Sequence, residues 1–208
     1  MEFSNPAIDA YCAAHSNALP AFMGELERET HLRVILSNMI SSPLQGAMLH
    51  FLAACNQPHN VLEIGTFTGY STVAIASGLA TDANFHTLEK NQELEYFHKK
   101  YFLQYPSIKV HYGKALEWLE QDNTKWDFVF LDADKKVYDT YYDCIIPKMN
   151  PNALLIADNV LWKGKVLNES PDSDTKALDA FNKKVNQDSR VDNVLLPIRD
   201  GLMLIRKK

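Results

Sequence analysis

Short β-rich runs alternate with longer helical stretches along most of this 208-residue chain, and this alternation constrains the fold more than any other feature. Five largely apolar runs are predicted as strands: Asn60–Ile64, Asn84–Leu88, Ile108–Tyr112, Trp126–Leu131 and Ala153–Ala157. The segments between them are long enough for crossover helices: Tyr70–Leu79, Gln92–Leu103, Lys114–Glu120 and Val137–Met149. Several of the runs are continuously apolar, as strands are when a parallel sheet is covered on both faces. The pattern predicts a doubly wound, Rossmann-like α/β sheet.

The C-terminal end of the chain departs from this alternation. A predicted helix near Thr175–Asn186 is followed by two β-like runs, Val191–Ile198 and Leu202–Arg206. Asp200 and Gly201 lie between these runs, and Gly accepts a positive φ without steric cost, which is a hairpin signal. We therefore expect a mostly parallel sheet that ends in an antiparallel hairpin.

The domain organisation follows from length and pattern. At roughly 150 residues per domain the length corresponds to about 1.4 domains, which favours one domain spanning 1–208. Residues 1–55 are predicted to form a helical cover with a break at Ser42 and Pro43, and residues 56–208 to form the core.

Composition excludes several classes of protein. The formal net charge is −5, which disfavours nucleic acid as a partner, and the longest apolar runs span only five residues, far short of the ~20 that cross a membrane. The first basic residue is Arg28, and no secretory h-region precedes it. Cys12, Cys55 and Cys144 are odd in number and widely spaced, so neither a disulfide framework nor a zinc site is indicated. We expect a cytoplasmic protein with reduced thiols.

A glycine-containing loop follows the first strand and predicts a cofactor site. Gly65 and Gly69 flank Phe67, so the loop is neither a P-loop nor a GxGxxG fingerprint. Glu63 precedes the loop and would repel a pyrophosphate, whereas it suits a cationic ligand. Glu89 ends the next strand, where an acid accepts hydrogen bonds from a ribose diol. The pattern favours S-adenosylmethionine over NAD, with solvated strand-end carboxylates as the alternative.

Polar residues at the ends of two further strands predict a metal site. Asp132 follows the fourth strand, and Asp158 and Asn159 follow the fifth. These hard oxygen donors suit Mg²⁺, Ca²⁺ or Mn²⁺ and leave positions open for water or substrate. Lys135 lies three residues past Asp132, where a divalent cation would lower its pKa towards that of a general base. Helix caps and a turn are the alternative for the acids and the amide, and a solvated surface position is the alternative for Lys135.

Four sequence motifs together point to a known family: EIGTFTGYS at 63–71, DADK at 132–135, DNVLWKG at 158–164 and PIRDGL at 197–202. With these motifs the sequence resembles the cation-dependent O-methyltransferases of the caffeoyl-CoA and catechol type. The resemblance runs in order from about Met39 to Arg206. It implies a seven-stranded methyltransferase fold that binds S-adenosylmethionine and a divalent cation, and it suggests a homodimer.

The resemblance also implies roles for individual residues. Cofactor-binding positions would be Ser41, Glu63, Gly65, Thr66, Ser71, Glu89, Ala115 and Asp134. Metal ligands would be Asp132, Asp158 and Asn159, the catalytic base Lys135, and the acceptor-lining residues Tyr141 and Trp162. The chain departs from the family at Glu89, where Asp is common, and at 41–46, which differs from the plant enzymes. No acyl-CoA-binding pattern is found near the N-terminus.

The function expected from these features is methyl transfer to one hydroxyl of a catechol-like vicinal diol. The cation would acidify the hydroxyl, Lys135 would take its proton, and the oxyanion would attack the sulfonium methyl group. Two enzymatic alternatives are a tRNA hydroxyuridine O-methyltransferase of the same fold and an NAD-dependent oxidoreductase. A non-catalytic binding protein is a further alternative, which the combined metal and lysine pattern disfavours.

Overall fold

The computed structural model describes residues 6–17 and 19–208, so residues 1–5 and 18 of the predicted helical cover lie outside it. The described chain divides into two compact units, Pro6–Ala115 and Leu116–Lys208, called here the N-terminal and C-terminal units. Each is described by itself. The single domain over 1–208 stays a prediction.

The N-terminal unit contains three parallel strands and five helices. The strands are β1 (Asn60–Ile64), β2 (Asn84–Glu89) and β3 (Ile108–Tyr112). The helices are α1 (Pro6–Ala14), α2 (Met23–Arg33), α3 (Pro43–Asn56), α4 (Tyr70–Ala76) and α5 (Glu95–Tyr101), with 3₁₀ turns at Ser37–Met39 and Gln92–Leu94. The strand order is β3-β2-β1, and residues 61, 85 and 108 are in register. The three predicted strands are confirmed.

The predicted break before α3 is confirmed and has a simple cause. Ser42 is the N-cap of α3, and its side chain accepts a hydrogen bond of 3.3 Å from the Gln45 amide. Pro43 follows in the first turn, where its missing N–H leaves no intrahelical bond unmade. Serine and proline together therefore start the helix at this point.

Apolar faces of α2, α4 and α5 form one core cluster of this unit. Leu26 of α2 and Val73 of α4 are fully buried, and Phe97 and Tyr101 of α5 are nearly so. Burying such a side chain contributes about 1.5–3 kcal/mol relative to leaving it in water. This cluster supports α4, the helix that follows the glycine loop.

A charged network ties α2 to α5. The Glu29 carboxylate accepts hydrogen bonds from the Lys100 ammonium at 2.8 Å, the Tyr101 hydroxyl at 2.6 Å and the Tyr96 hydroxyl at 2.9 Å. The bond from Lys100, followed by that from Tyr101, lowers the pKa of Glu29 from 4.5 to about 2. The ionised carboxylate therefore stabilises the packing of the two helices.

Replacing Glu29 by Gln is expected to lower the melting temperature at neutral pH by about 3–6 °C, since charged hydrogen bonds each contribute about 1.5–3 kcal/mol and part of this is screened. The folded-state pKa is depressed, so the stabilisation is present above pH 4.5 and is lost as the pH falls towards about 2. Thermal unfolding across this range checks the result. The matched control, Glu25→Gln, removes an exposed carboxylate that bonds the same lysine and should change little. Equal effects of the two variants would contradict the prediction.

The C-terminal unit contains four strands. They are β4 (Trp126–Leu131), β5 (Met149–Asp158), β6 (Val191–Leu196) and β7 (Leu202–Lys207), in the order β4-β5-β7-β6. The helices are α6 (Ala115–Gln121, which begins at the last residue of the N-terminal unit), α7 (Tyr138–Ile145) and α8 (Ser173–Gln187). Three 3₁₀ segments lie at Lys135–Val137, Ile146–Lys148 and Trp162–Leu167. β4 and β5 are parallel, whereas β7 is antiparallel to both β5 and β6, so the predicted hairpin is confirmed.

The predicted helix Val137–Met149 is shorter in the structure. The α-helix ends at Ile145 and a 3₁₀ turn containing Pro147 follows, because proline has no amide hydrogen with which to continue the helix. β5 then begins at Met149, four residues before the predicted start, and its pairing with β4 shifts register before Leu154. β5 is therefore longer than predicted: the apolar run forms only its second half, and the first half lies before the irregularity in its pairing with β4.

In the part of the chain that the structure describes, seven strands, mostly parallel with a C-terminal antiparallel hairpin, confirm the predicted α/β fold class. Among residues 6–17 and 19–208, none of the helices is both long and apolar enough to cross a membrane.

Candidate active site

The glycine loop between β1 and α4 has a backbone that few side chains tolerate. Gly65, Phe67 and Gly69 have φ values of 102°, 50° and 95°. A Cβ at Gly69 would lie 2.4 Å from the ring of Phe102, so glycine is required both by conformation and by space. The loop therefore packs against Phe102, the residue that follows α5, and its residues Gly65 and Phe67 are partly exposed.

Glu63 is a completely buried carboxylate at the end of β1. Its exposed fraction is 0%, and its oxygens accept hydrogen bonds from the hydroxyls of Ser71 at 2.6 Å, Thr72 at 2.5 Å and Thr87 at 2.6 Å. The alternative of a solvated strand-end carboxylate is wrong for Glu63. Neutral donors fix the carboxylate in place and leave its negative field available to a cationic ligand.

Glu89 ends β2 and braces the same loop. Its Oε2 accepts a hydrogen bond of 2.7 Å from the Phe67 amide, and its Oε1 one of 2.7 Å from the Asn91 amide. Burial raises the pKa of Glu89, and these backbone bonds partly offset the rise. Each carboxylate oxygen has a second lone pair, so the group can still accept from a ligand diol. Glu89 is 8% exposed, so the solvated alternative is wrong here too.

The remaining predicted cofactor residues have varied positions. Thr66 is buried and its hydroxyl lies 2.6 Å from that of Thr87, and Ser41 is buried just before the N-cap of α3. Ala115 is the first residue of α6. Asp134 is exposed and caps a 3₁₀ turn through the Lys136 amide at 3.1 Å, which is the capping role that aspartate takes at helix starts. Their roles towards a cofactor stay predictions.

In the C-terminal unit, two carboxylates lie at neighbouring strand ends: Asp132 directly follows β4, and Asp158 is the last residue of β5. Leu131 of β4 is in register with Ala157 of β5, and the strands are parallel. Asp132 and Asp158 therefore emerge side by side at the carboxyl edge of this pair. Asp158 is 2% exposed, and its Oδ1 accepts a hydrogen bond of 2.6 Å from the backbone amide of Asn159.

A buried tyrosine joins these two strand ends. The Tyr138 hydroxyl shares its one hydrogen between the carbonyl oxygens of Leu131 and Asp158, both at 3.1 Å, and accepts from the Lys135 ammonium at 2.8 Å. The same ammonium donates to Asp132 at 2.6 Å. Tyr138 thus fixes the spacing of the strand ends and the direction of the lysine. Tyr138 is not among the residues predicted from the sequence, although its position three residues after Lys135, on the same helical face, could have indicated it.

Lys135 is protonated in this arrangement. Burial by itself lowers the pKa of the ammonium, but Tyr138 and the carboxylates of Asp132 and Asp158 outweigh burial, so the pKa is raised. The sequence predicted a lowered pKa for Lys135 next to a bound divalent cation, whereas the raised pKa belongs to the site without a cation. Lys135 is largely buried, since its side chain is only 11% exposed, so the alternative of a solvated surface lysine is wrong.

The donor chemistry of the strand ends fits a hard cation. The field of Asp132 and Asp158 already attracts one buried positive charge, that of Lys135. The two carboxylates and the side-chain amide oxygen of Asn159 are oxygen donors of the kind that Mg²⁺, Ca²⁺ and Mn²⁺ prefer. Within the described ranges 6–17 and 19–208, no cluster of three His, Cys, Asp or Glu residues forms a metal site. The three predicted metal ligands contain only two residues of these types, Asp132 and Asp158, because the third ligand is Asn159.

The segment after Asn159 carries the predicted acceptor residue Trp162. Trp162, Lys163 and Gly164 all have positive φ, and the Asp200 side chain accepts a hydrogen bond from the Lys163 amide. The sequence analysis assigned Asp200 only to the hairpin. Tyr141, the other predicted acceptor residue, is nearly buried on α7.

A cavity of about 530 Å³ lies elsewhere in the N-terminal unit. His50, Ser77 and Tyr105 contribute to its wall, whereas the predicted cofactor residues do not.

Comparison with known proteins gives one consistent family. A family model described as O-methyltransferase matches residues 13–208. A probable caffeoyl-CoA O-methyltransferase 1 of Dictyostelium discoideum is 30% identical, over 98% of this chain and 93% of that protein. A catechol O-methyltransferase of Niastella koreensis is 32% identical, over 74% of each. The SAH-bound methyltransferase PaMTH1 of Podospora anserina superposes with a TM-score of 0.89 at 29% identity, covering 97% of this chain and 94% of that one.

Proposed function

The chain belongs to the O-methyltransferase family, and from that membership we propose that it transfers the methyl group of S-adenosylmethionine to one hydroxyl of a vicinal diol on a small aromatic acceptor, with a divalent cation as cofactor. The family confirms the resemblance read from the sequence and leaves the oxidoreductase and binding-protein alternatives without support. The observation that carries the proposal is the pair of carboxylates at the ends of β4 and β5 with a buried ammonium drawn to them.

Apart from Asp134, the groups we assign to the methyl donor lie in the N-terminal unit. The buried Glu63 carboxylate favours the positive charge of a sulfonium compound, and the Glu89 carboxylate has lone pairs for a ribose diol. Homologous structures were solved with SAH or SAM bound, which supports the same donor here. The loop glycines allow the donor to approach the backbone closely.

The C-terminal unit supplies the groups we assign to the cation and the acceptor. Asp132, Asp158 and Asn159 would hold the cation, and Tyr141 and Trp162 would line the acceptor. When bound, a divalent cation lowers the pKa of a hydroxyl at the site, so that an oxygen nucleophile forms near neutral pH. Tyr138 holds Lys135 in the direction of the carboxylates. With a cation bound, the charge of those carboxylates would be offset and the pKa of the ammonium lowered, so that Lys135 would release its proton to water and its neutral Nζ would then accept the proton of the acceptor hydroxyl.

Methyl transfer and its cation dependence are testable together. The purified chain is incubated with methyl-labelled S-adenosylmethionine and catechol, before and after treatment with a chelator. We expect labelled product with catechol, a loss of at least about 100-fold after chelation, and recovery with Mg²⁺, Mn²⁺ or Ca²⁺.

Phenol is the matched control acceptor, since it offers one hydroxyl where catechol offers two. We expect its methylation to be slower by about 100-fold, because a single oxygen cannot chelate. Equal turnover of the two acceptors would reject the diol, and full activity after chelation would reject the cation. The homodimer and the cytoplasmic location stay predictions, and so does the tRNA alternative, which transfer of label to tRNA would reveal.

A further inference from the structure

His98 of α5 is a buried residue that the sequence analysis did not single out. It is 3% exposed, and its ring stacks on Phe102 at 5.2 Å between centroids and on Tyr112 at 5.8 Å. Its Nε2 lies 2.7 Å from the carbonyl oxygen of Phe67, and its Nδ1 lies 2.7 Å from the Tyr112 hydroxyl. Both ring nitrogens are therefore engaged, and one of them reaches the glycine loop.

The partners decide the protonation of the ring. A carbonyl oxygen only accepts, so Nε2 carries the hydrogen and donates it to Phe67. Burial lowers the pKa of His98 from 6.5, so the ring is neutral at neutral pH and Nδ1 accepts from the Tyr112 hydroxyl. Tyr112 of β3 thus selects the tautomer that points a donor at the loop.

Phe67 needs such a partner because its backbone is strained. Its φ of 50° is in the left-handed region, which costs a residue with a Cβ about 1 kcal/mol or more. The Phe67 amide donates to Glu89 and its carbonyl accepts from His98, so both polar groups of this residue are held by side chains. Glu89 and His98 therefore both hold the backbone conformation of Phe67, Glu89 through the amide and His98 through the carbonyl oxygen.

We propose that His98 is a positioning residue for the methyl donor, since it fixes the backbone of Phe67, and through the Phe67 amide the Glu89 carboxylate, in the conformation that binds S-adenosylmethionine. The inference rests on the proposed function. His98 touches none of the residues assigned to the cation or the acceptor in the contacts described. Its loss should therefore weaken donor binding and spare the chemical step.

Two replacements of similar polarity separate positioning from packing. In His98→Gln the amide nitrogen falls near the place of Nε2 and can donate to Phe67, whereas in His98→Asn it falls near Nδ1 and cannot. We expect the dissociation constants of S-adenosylmethionine and S-adenosylhomocysteine, measured by calorimetry on the full chain, to rise about 10-fold in His98→Asn and less than about threefold in His98→Gln. The turnover number at saturating donor and the KM of the acceptor should stay within about twofold of wild type in both variants.

Thermal unfolding first shows whether the two variants are folded. If both are folded and bind the donor with equal affinity, the inference is overturned while the proposed function stays intact. A wild-type chain that binds no donor would overturn both. If His98→Asn does not fold, Tyr112→Phe replaces it, because it keeps the ring and removes the hydroxyl that selects the tautomer. A two- to threefold weaker donor affinity then supports the inference, and an unchanged one overturns it.

Discussion

Replacing Asp158 by Ala is expected to lower the rate of methyl transfer by about 1,000-fold. Asp158 ends β5 beside Asp132 and is nearly buried, so its replacement by Ala removes one of the two negative charges that we assign to the cation. A cation at such a site contributes several kcal/mol to a reaction that forms an oxyanion, and each 1.36 kcal/mol corresponds to tenfold in rate. Initial rates at saturating donor and acceptor, at increasing Mg²⁺ concentration, measure the effect.

Asp158→Asn distinguishes loss of the cation from loss of the fold. The amide oxygen still accepts from the Asn159 amide, so the turn is preserved while the negative charge is removed. We expect a loss of at least about 100-fold with a melting temperature close to that of wild type. The control is Asp143→Asn, which removes an exposed carboxylate paired with Lys184 in the same unit and should leave the rate unchanged. Wild-type rates in both Asp158 variants would reject the metal role of Asp158.

Replacing Lys135 by Met is expected to have two opposite effects. The rate of methyl transfer should fall by about 100- to 10,000-fold, the range for removal of a general base. The affinity for a divalent cation should stay the same or increase. In the wild type the buried Lys135 ammonium pairs with Asp132 at 2.6 Å, and in the variant no ammonium competes with the cation for the carboxylates. Rates at saturating Mg²⁺ and calorimetric titration with Mn²⁺ measure the two effects separately.

Lys136→Met is the matched control for Lys135. Lys136 is adjacent in sequence, but its side chain is 60% exposed and lies 3.5 Å from Asp174, so its loss should change neither quantity appreciably. A Lys135→Met enzyme with wild-type turnover would refute the base assignment. A lower turnover together with much weaker cation binding would instead make Lys135 a support for the carboxylates.

Most of the fold could be predicted because its signals are local. Continuous apolar runs give the buried parallel strands, and Ser42 with Pro43 gives the start of α3, since capping chemistry involves only nearby residues. Boundaries were less accurate where long-range pairing decides them. β5 begins at Met149 because Met149 pairs with Trp126, and nothing in the sequence around Met149 encodes that partner.

The same distinction holds for the candidate site. The positions of Glu63 and Glu89 at strand ends, and of Asp132 and Asp158 on adjacent strands, follow from turn and strand patterns in the sequence. The burial and hydrogen-bond partners of these groups do not follow from such patterns. Glu63 is surrounded by hydroxyls from residues 8 to 24 positions away in the sequence, and no local pattern predicts them.

The amino-acid sequence by itself determined the fold class, the family and the order of the polar groups along the strand ends, because strand periodicity and turn chemistry act over a few residues. Only the tertiary structure decided that Lys135 is an ammonium held by Tyr138, and that His98 grips the Phe67 carbonyl 31 residues away. Charge state and hydrogen-bond partner depend on burial, and burial depends on which distant segments pack together.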